Sequence, residues 1–434
     1  MSASRVVAGL AAAFIALIPF GWPLLPANMQ PGDVLMPALL AALVVAGWRY
    51  RFHVLDVAVL AFVLSSAASG PGSLSPQTSL IAIVKELYLA GVYISIGAVG
   101  ERVSPVRLCR WITTSAALLS AASIAAALAF LASGRWWPPL GEPMALPYVG
   151  DVFRARGTLQ APEFFGNLLT FVAPLMLLTA PSRGDRRWWL AGAAILVAEL
   201  LTFSRSLGGF VVGVALTCWS RWDGRPLVKT GWAAAAVGLV LVFNLTSLIT
   251  IRQVDVTFGK NPNVPAPAYA YVKPGTGADM LDVRVSYNPM SYYLIKKVEW
   301  TAFRRRPWTG IGLDAFPFES ERAFNEGRLH SPYQHIQPHS TPIGRLAETG
   351  VVGLAGLIAL VVGVWRSGLT AARHSSGDDI AWALVAGCVG LFVNGINVDM
   401  MHFRFFWFGI GIVRALSRDP SDHDGATRFA SSIG

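Results

Sequence analysis

The stretch 338–353, where a long polar segment gives way to an apolar run, holds the first residues that could do chemistry. His339 closes the polar segment, and Arg345 and Glu348 fall in the first turns of the apolar run. Ionisable groups are costly at the edge of a membrane, so they are functional candidates there. We expect His339 to contribute to an active site. For Arg345 and Glu348 a local ion pair or a headgroup contact is the simpler interpretation, and they remain supporting candidates.

Arginines on three other segments could complete such a site. Arg154 and Arg156 lie in Phe-Arg-Ala-Arg-Gly-Thr, where snorkelling to lipid headgroups is the alternative. Arg205 follows Ser204 in a tight turn between two apolar runs, and we expect it to point into a polar cavity. A basic run at the end of a predicted helix either relieves the helix dipole or binds phosphate. That run is Arg304, Arg305 and Arg306.

Several arginines with one histidine suit the attack of a hydroxyl on a carbon that carries a diphosphate leaving group. Guanidiniums can replace a metal as a clamp on the diphosphate, because they offer bidentate hydrogen bonds and fixed positive charge. A histidine can accept the hydroxyl proton, and nearby guanidiniums keep it neutral. Serine-hydrolase chemistry fits less well, because no Gly-x-Ser-x-Gly element accompanies His339.

Metal binding is a weaker interpretation of the histidines. His330, His335 and His339 lie close together, but Pro332 and Pro338 argue against one helix that would present them as ligands. The loops expected outside the membrane also lack a dense carboxylate cluster that would hold a divalent ion on a phosphate. We therefore expect neither a metal nor another cofactor, and His335 remains a supporting candidate.

The composition is that of a membrane protein. Of 434 residues, 54% are hydrophobic and 14% are charged, whereas soluble globular chains carry about 25% charged residues. The net charge of +10 fits the Lys and Arg that membrane proteins keep in their cytoplasmic loops, so we expect no nucleic-acid partner.

Twelve apolar runs predict an all-α polytopic fold with about 12 transmembrane helices. They cover residues 5–20, 33–47, 54–69, 78–99, 107–132, 163–180, 188–203, 207–220, 231–251, 341–365, 380–397 and 402–416. With the N-terminus inside, the cytoplasmic segments carry 17 Lys and Arg residues, whereas the outside loops 21–32, 70–77 and 398–401 carry none. We expect both termini in the cytoplasm and the segments that carry His339, Arg154 and Arg205 on the opposite face.

The predicted domains follow from these runs. Transmembrane helices 1–9 fill residues 1–251, a long extracytoplasmic loop domain covers 252–340, helices 10–12 fill 341–416, and a polar cytoplasmic tail covers 417–434. Inside the long loop, residues 259–289 are expected to be irregular or to form short strands. Residues 290–306 predict an amphipathic helix, on the membrane surface or over a cavity, that ends before Pro307.

Four short motifs occur in order along residues 150–365. They are Arg154-Ala155-Arg156-Gly157-Thr158, Ser204-Arg205, the turn from Pro307 to Gly312, and His339 with the later Glu348-Thr349-Gly350-Val351-Val352-Gly353-Leu354. In this combination the chain resembles the bacterial O-antigen ligase and O-antigen polymerase superfamily, and it is most like O-antigen ligase. It departs from the family pattern at Ser340, where asparagine is usual, and at Pro162-Glu163, where Pro-Asn is usual. A further family arginine falls at Tyr292 here, and Arg284 lies upstream as its candidate replacement.

The resemblance implies a metal-independent, inverting glycosyltransferase in the bacterial inner membrane. Its donor would be a glycan on undecaprenyl diphosphate, and its acceptor a sugar of the lipid A core at the periplasmic face. Arg154 or Arg156, Arg205 and Arg284 would hold the diphosphate, and His339 would activate or orient the acceptor hydroxyl. Membrane lipids would be its other partners. A polymerase or protein O-glycosyl ligase of the same superfamily is one alternative, and a transporter or flippase of an anionic lipid is another.

Overall fold

The computed structural model describes residues 3–21, 30–135, 137–146, 150–179, 185–221, 238, 252–258, 283–289, 291–329, 335–374 and 379–417. Helices dominate this part of the chain. They are α1 (Ala3–Leu17), α2 (Pro31–Val45), α3 (Val54–Ala67), α4 (Pro76–Gly100), α5 (Pro105–Ser133), α6 (Pro162–Leu178), α7 (Arg186–Leu201), α8 (Ser206–Arg221), α9 (Ser291–Arg305), α10 (Phe316–Asn325), α11 (Thr341–His374), α12 (Asp379–Asn394) and α13 (Arg404–Leu416).

Helices lie at eleven of the twelve predicted positions, with ends that differ by a few residues in most cases. The twelfth, 231–251, lies outside the described residues apart from residue 238. Among the described residues, α4, α5 and residues 341–373 of α11 are long and apolar enough to cross a membrane, and further apolar helices are shorter. The prediction of a helical membrane protein is confirmed, and the number of crossings stays a prediction.

Proline and glycine explain several helix ends. Pro31, Pro76, Pro105 and Pro162 each occupy the first position of a helix, where the missing N–H costs no hydrogen bond and the fixed φ suits a helix. At the other end of α5, Gly134 adopts φ 66° and donates its N–H to the Phe130 carbonyl at 2.8 Å. Glycine pays no Cβ penalty in this left-handed conformation.

Two small hairpins add β-structure to the predicted all-α fold. β1 (Gly141–Leu146) pairs antiparallel with β2 (Gly150–Ala155), and Glu142 lies opposite Arg154. β3 (Arg252–Phe258) pairs antiparallel with β4 (Val283–Pro289), and Thr257 lies opposite Arg284. Gly141 and Pro143 interrupt the alternation of β1, although Phe153 and Ala155 of β2 are both buried. In β3, by contrast, Val254, Val256 and Phe258 alternate with polar residues.

The amphipathic helix predicted at 290–306 is α9, and it packs over the start of α11. Ile295, Val298 and Ala302 share a small hydrophobic core with Phe316 of α10 and Ala347 of α11. The helix α10 was not predicted. Together these two helices of the long loop lie on the first turns of the helix that follows His339.

The helix α11 is broken at Gly350, where φ is 66° and ψ is −163°. The break admits the segment before α10, whose N–H groups at Ile311 and Gly312 bond to the carbonyls of Ala347 and Glu348 at 3.0 and 2.8 Å. A Cβ at Gly310 would come within 2.2 Å of the Glu348 backbone. The glycines of this predicted turn therefore allow its backbone to contact the backbone of α11 near Glu348.

Candidate active site

A cavity of about 720 Å³ opens where four distant segments converge. They are the end of β2 with the start of α6, the turn between α7 and α8, residues 335–339, and the loop between α12 and α13. Six of the residues singled out in the sequence line it. They are Arg154, Ser204, Arg205, His335, His339 and Glu348.

His339 lies in the segment that leads into α11. Its backbone N–H donates to Oε1 of Glu299 at 3.1 Å. Burial lowers the pKa of the imidazole, and the charges of Lys296 and Arg205 lower it further against the opposing effect of Glu163. The neutral ring is therefore favoured, which is the form that can accept a proton.

Lys296 and Glu299, one turn apart on α9, bond to two segments of the cavity wall. Lys296 Nζ donates to the Ile396 carbonyl at 2.7 Å and to Asn397 Oδ1 at 3.1 Å, while Glu299 accepts the His339 N–H. Burial lowers the pKa of Lys296 to about 8 and raises that of Glu299 to about 7. Neither residue was predicted as a site residue, although Glu299 falls at helical spacing from Ile295 and Ala302 on the buried face.

Arg154 is held among carboxylates. Its Nη2 and Nη1 lie 2.7 and 3.3 Å from Glu163 and Glu142, and its Nε donates to the Thr202 carbonyl at 2.8 Å. Arg156 bonds instead to the Pro138 carbonyl at 2.6 Å, is half-buried, and does not line the cavity. Of the two arginines in the motif, Arg154 is the one at the site.

Arg205 enters the cavity from the turn between α7 and α8. The turn is tight because Phe203 adopts a left-handed φ of 46°, and Ser204 Oγ accepts the Ser206 N–H at 3.2 Å. The Arg205 charge lowers the pKa of both Lys296 and His339. The predicted cavity-facing arginine therefore lies near the predicted histidine.

Comparison with known families finds a match in the central part of the chain. The model of the O-antigen ligase family matches residues 190–358, which run from α7 into α11 and include Arg205 and His339. Residues 190–358 of the chain are thus similar to the O-antigen ligase family. Family members are membrane glycosyltransferase-like enzymes. Among curated proteins, none matches the chain. The superfamily prediction is thereby confirmed.

Outside the cavity, Arg345 has different contacts from those expected. It is 2% exposed, and its Nη1 lies 2.6 Å from Glu86 of α4 and 3.1 Å from the Ser66 hydroxyl of α3. Neither a local pair nor a headgroup contact describes it. Glu348, by contrast, lines the cavity and accepts the Phe316 N–H at 3.2 Å.

The remaining basic candidates lie away from the cavity or at its edge. Arg305 pairs with Glu319 at 2.7 Å, Arg306 bonds to the Gly72 carbonyl, and Arg304 is exposed. His335 lines the cavity and lies 3.9 Å from Glu321. For Arg284 the structure gives only its backbone place in β4, and His330 lies outside the described residues.

Several cavity residues were not predicted as site residues. Arg404 forms a bidentate pair with Asp33, with Nε 2.6 Å from Oδ1. His402 lies 2.9 Å from Asp399, and Lys85 of α4 also lines the wall. Their signal in the sequence is weak, because His402 and Arg404 lie at the start of an apolar run and Lys85 lies inside one, beside Glu86.

Proposed function

We propose that this chain is an O-antigen ligase. It transfers a glycan from undecaprenyl diphosphate to a sugar of the lipid A core at the periplasmic face of the inner membrane. The observation that carries the proposal is the common cavity, which brings His339, Arg205 and Arg154 together from segments far apart in the chain. The match of the central segment to the O-antigen ligase family supports the same activity.

The cavity suits an inverting displacement without a metal. His339 accepts the proton of the acceptor hydroxyl, whose oxygen forms a bond to the anomeric carbon. The bond from that carbon to the diphosphate breaks, and its electron pair leaves with the diphosphate oxygen. Arg205 and Arg154 stabilise the charge of the departing group, because guanidiniums can each donate two hydrogen bonds to an oxyanion.

A transfer assay tests the proposal directly. Purified protein in nanodiscs is mixed with a glycan on undecaprenyl diphosphate and a lipid A core acceptor, in the presence of a chelator. We expect the glycan on the core, detected by mass spectrometry. Joined donor glycans without core would indicate a polymerase, and movement of the donor across liposomes without a covalent product would indicate a transporter.

Two variants test the residue roles. His339→Ala should reduce transfer by at least about a hundredfold, the usual contribution of a positioned base. Arg205→Lys should also reduce transfer, since a point charge cannot reproduce the guanidinium fork. Arg322→Lys is the matched control, because Arg322 is exposed and pairs with Glu326 outside the cavity. Wild-type transfer by His339→Ala would overturn its assignment.

A further inference from the structure

A second histidine, His402, lines the same cavity as His339 and has a different partner. It lies in the loop between α12 and α13, and its Nε2 is 2.9 Å from Oδ2 of Asp399. The His402 side chain is 44% exposed and that of Asp399 is 18% exposed. Both side chains line the cavity, and the imidazole is the more exposed of the two.

Asp399 is held in place by hydrogen bonds to its other oxygen. Oδ1 accepts the Met401 N–H at 3.2 Å and the Thr341 hydroxyl lies 3.4 Å from it. Thr341 follows His339 by two residues, and its N–H donates to the Gly395 carbonyl at 2.7 Å. The loop that carries the second histidine is thus tied to the segment that carries the first.

The charges around His402 favour its protonated form. Burial lowers the pKa of the ring, but the Asp399 carboxylate outweighs burial, Asp314 acts in the same direction and Arg345 opposes it, so the pKa of His402 is raised. The pKa of His339 is lowered. Two titratable groups whose pKa values are driven apart within one site are suited to opposite roles. The other charged or titratable side chains that line the cavity are Lys85, Arg154, Glu163, Arg205, His335, Glu348 and Arg404.

Two of the arginines in the cavity already have carboxylate partners. Arg154 lies between Glu142 and Glu163, and Arg404 is paired with Asp33. Their positive charges are therefore balanced before any substrate arrives. A diphosphate that enters the cavity would gain from a further charged donor, because hydrogen bonds to charged groups are stronger than neutral ones.

We propose that His402 binds the diphosphate of the lipid donor. Asp399 holds Nε2–H, and Nδ1–H of the imidazolium donates to a diphosphate oxygen. This inference rests on the proposed function for the identity of the ligand. During transfer the electron pair of the broken bond moves onto the diphosphate oxygen, and His402 stabilises that charge without giving up its proton, whereas His339 takes the proton of the acceptor.

Binding of farnesyl diphosphate at several pH values tests the inference without requiring transfer. The affinity of the wild type should fall as the pH rises through the raised pKa of His402. This fall should be larger than the change in affinity of His402→Gln over the same pH range. His402→Gln should bind about tenfold more weakly or worse at pH 6, the loss of one charge-assisted hydrogen bond. Farnesol, which lacks the phosphates, should not distinguish the two proteins.

Asp399→Asn gives the sharper result. Asparagine can still accept from Met401 and Thr341, but it no longer stabilises the imidazolium, so His402 should lose its proton at a lower pH. We expect weak binding near pH 7.5 and recovery toward wild-type affinity near pH 5.5. Loss of local structure would not be repaired by acid.

His53→Asn is the control for removal of a titrating histidine. His53 caps α3 and contacts Ser417, away from the cavity, and asparagine is a good helix cap. Wild-type affinity of His402→Gln, or no recovery of Asp399→Asn in acid, would overturn the inference. If the wild type transfers glycan and His402→Gln binds the diphosphate as well as wild type does, the proposed function is supported and the role of His402 is wrong. If farnesyl diphosphate binds with the expected pH dependence but no glycan is transferred, the diphosphate site is supported and the proposed function is wrong.

Discussion

At the scale of single residues, Glu299 shows how the fold supports His339 at a cost. Its side chain is fully buried, and one carboxylate oxygen accepts the His339 N–H. Burial raises the pKa of Glu299 to about 7, although Lys296 one turn away and the His339 N–H both lower it. The Glu299 carboxylate is therefore difficult to ionise, although it lies where it orients His339, the candidate base.

The pH dependence of stability should reveal this cost. Because the folded-state pKa of Glu299 lies above its unfolded value, the folded protein binds more protons between about pH 4.5 and pH 7, and the group lowers stability as the pH rises through that window. Ionisation of Glu299 should lower the free energy of unfolding by on the order of 3 kcal/mol, and Glu299→Gln should remove this loss. We expect the variant to gain thermal stability relative to wild type at pH 8 but much less at pH 5.

Thermal unfolding in detergent at the two pH values measures this difference. Glu321→Gln is the control, because the Glu321 side chain on α10 is 39% exposed, and surface substitutions change stability by about 0.5 kcal/mol or less. An equal shift of Glu299→Gln at pH 5 and pH 8 would contradict the assignment of the titrating group.

At the scale of elements, α11 joins the long loop to the membrane helices. Its break at Gly350 receives the segment before α10, since the Val351 N–H donates to the Pro307 carbonyl at 2.8 Å. Its first part also carries Arg345, which reaches Glu86 of α4. The helix α11 thus contacts the long loop through its break and the membrane helix α4 through Arg345.

Gly350→Ala should disrupt this junction. A Cβ there would lie 2.3 Å from the Trp308 carbonyl oxygen, and the backbone conformation is open almost only to glycine. We expect loss of transfer and a lower melting temperature. Gly327→Ala is the matched control, because Gly327 has φ 72° but nothing within 4 Å of the added Cβ. It should cost only the left-handed conformation, about 1–2 kcal/mol. Equal effects of both substitutions would contradict the close approach at Gly350.

The Arg345–Glu86 pair should behave as a buried ion pair. Arg345→Met leaves the Glu86 carboxylate without its cation and should destabilise the protein by about 3–5 kcal/mol. Arg345→Met with Glu86→Gln should recover much of the loss, since no isolated charge remains. The exposed pair Arg322–Glu326 provides the comparison, and Arg322→Met should cost about 1 kcal/mol or less. Additive losses in the double variant would contradict a direct pair.

At the scale of the whole molecule, the positive-inside pattern and the cavity together predict an orientation. The ends of α4 offer a test, because this helix is long and apolar enough to span a membrane. Gln77 lies in the first turn of α4, Ser104 lies beyond its C-terminal end, and both are exposed. The loop 70–77 contains no Lys or Arg, whereas the segment 100–110 contains three arginines.

Single cysteines at these positions should therefore label from opposite faces. In a Cys218→Ser background, which removes the exposed native cysteine, Gln77→Cys should react with a membrane-impermeant maleimide in intact spheroplasts. Ser104→Cys should react only after the membrane is opened. Reaction of both from outside, or of Ser104→Cys alone, would contradict the predicted orientation.

Local signals in the sequence determined most of the helices and part of the site. Apolar runs define the helices because a span needs a continuous length of apolar side chains, and prolines mark where four of them begin. His339 and Arg205 could be singled out because an ionisable residue beside an apolar run is costly wherever the chain folds. These inferences need only neighbours in the chain.

Tertiary structure alone decided which charges meet. Glu86 and Arg345 are 259 positions apart, and Glu299 and His339 are 40 apart, so no spacing rule could pair them. The choice of Arg154 over Arg156 likewise depended on where Thr202 and Glu163 lie after folding. Buried charges find partners through the packing of distant elements, because the cost of desolvation depends on the finished fold and not on the order of residues.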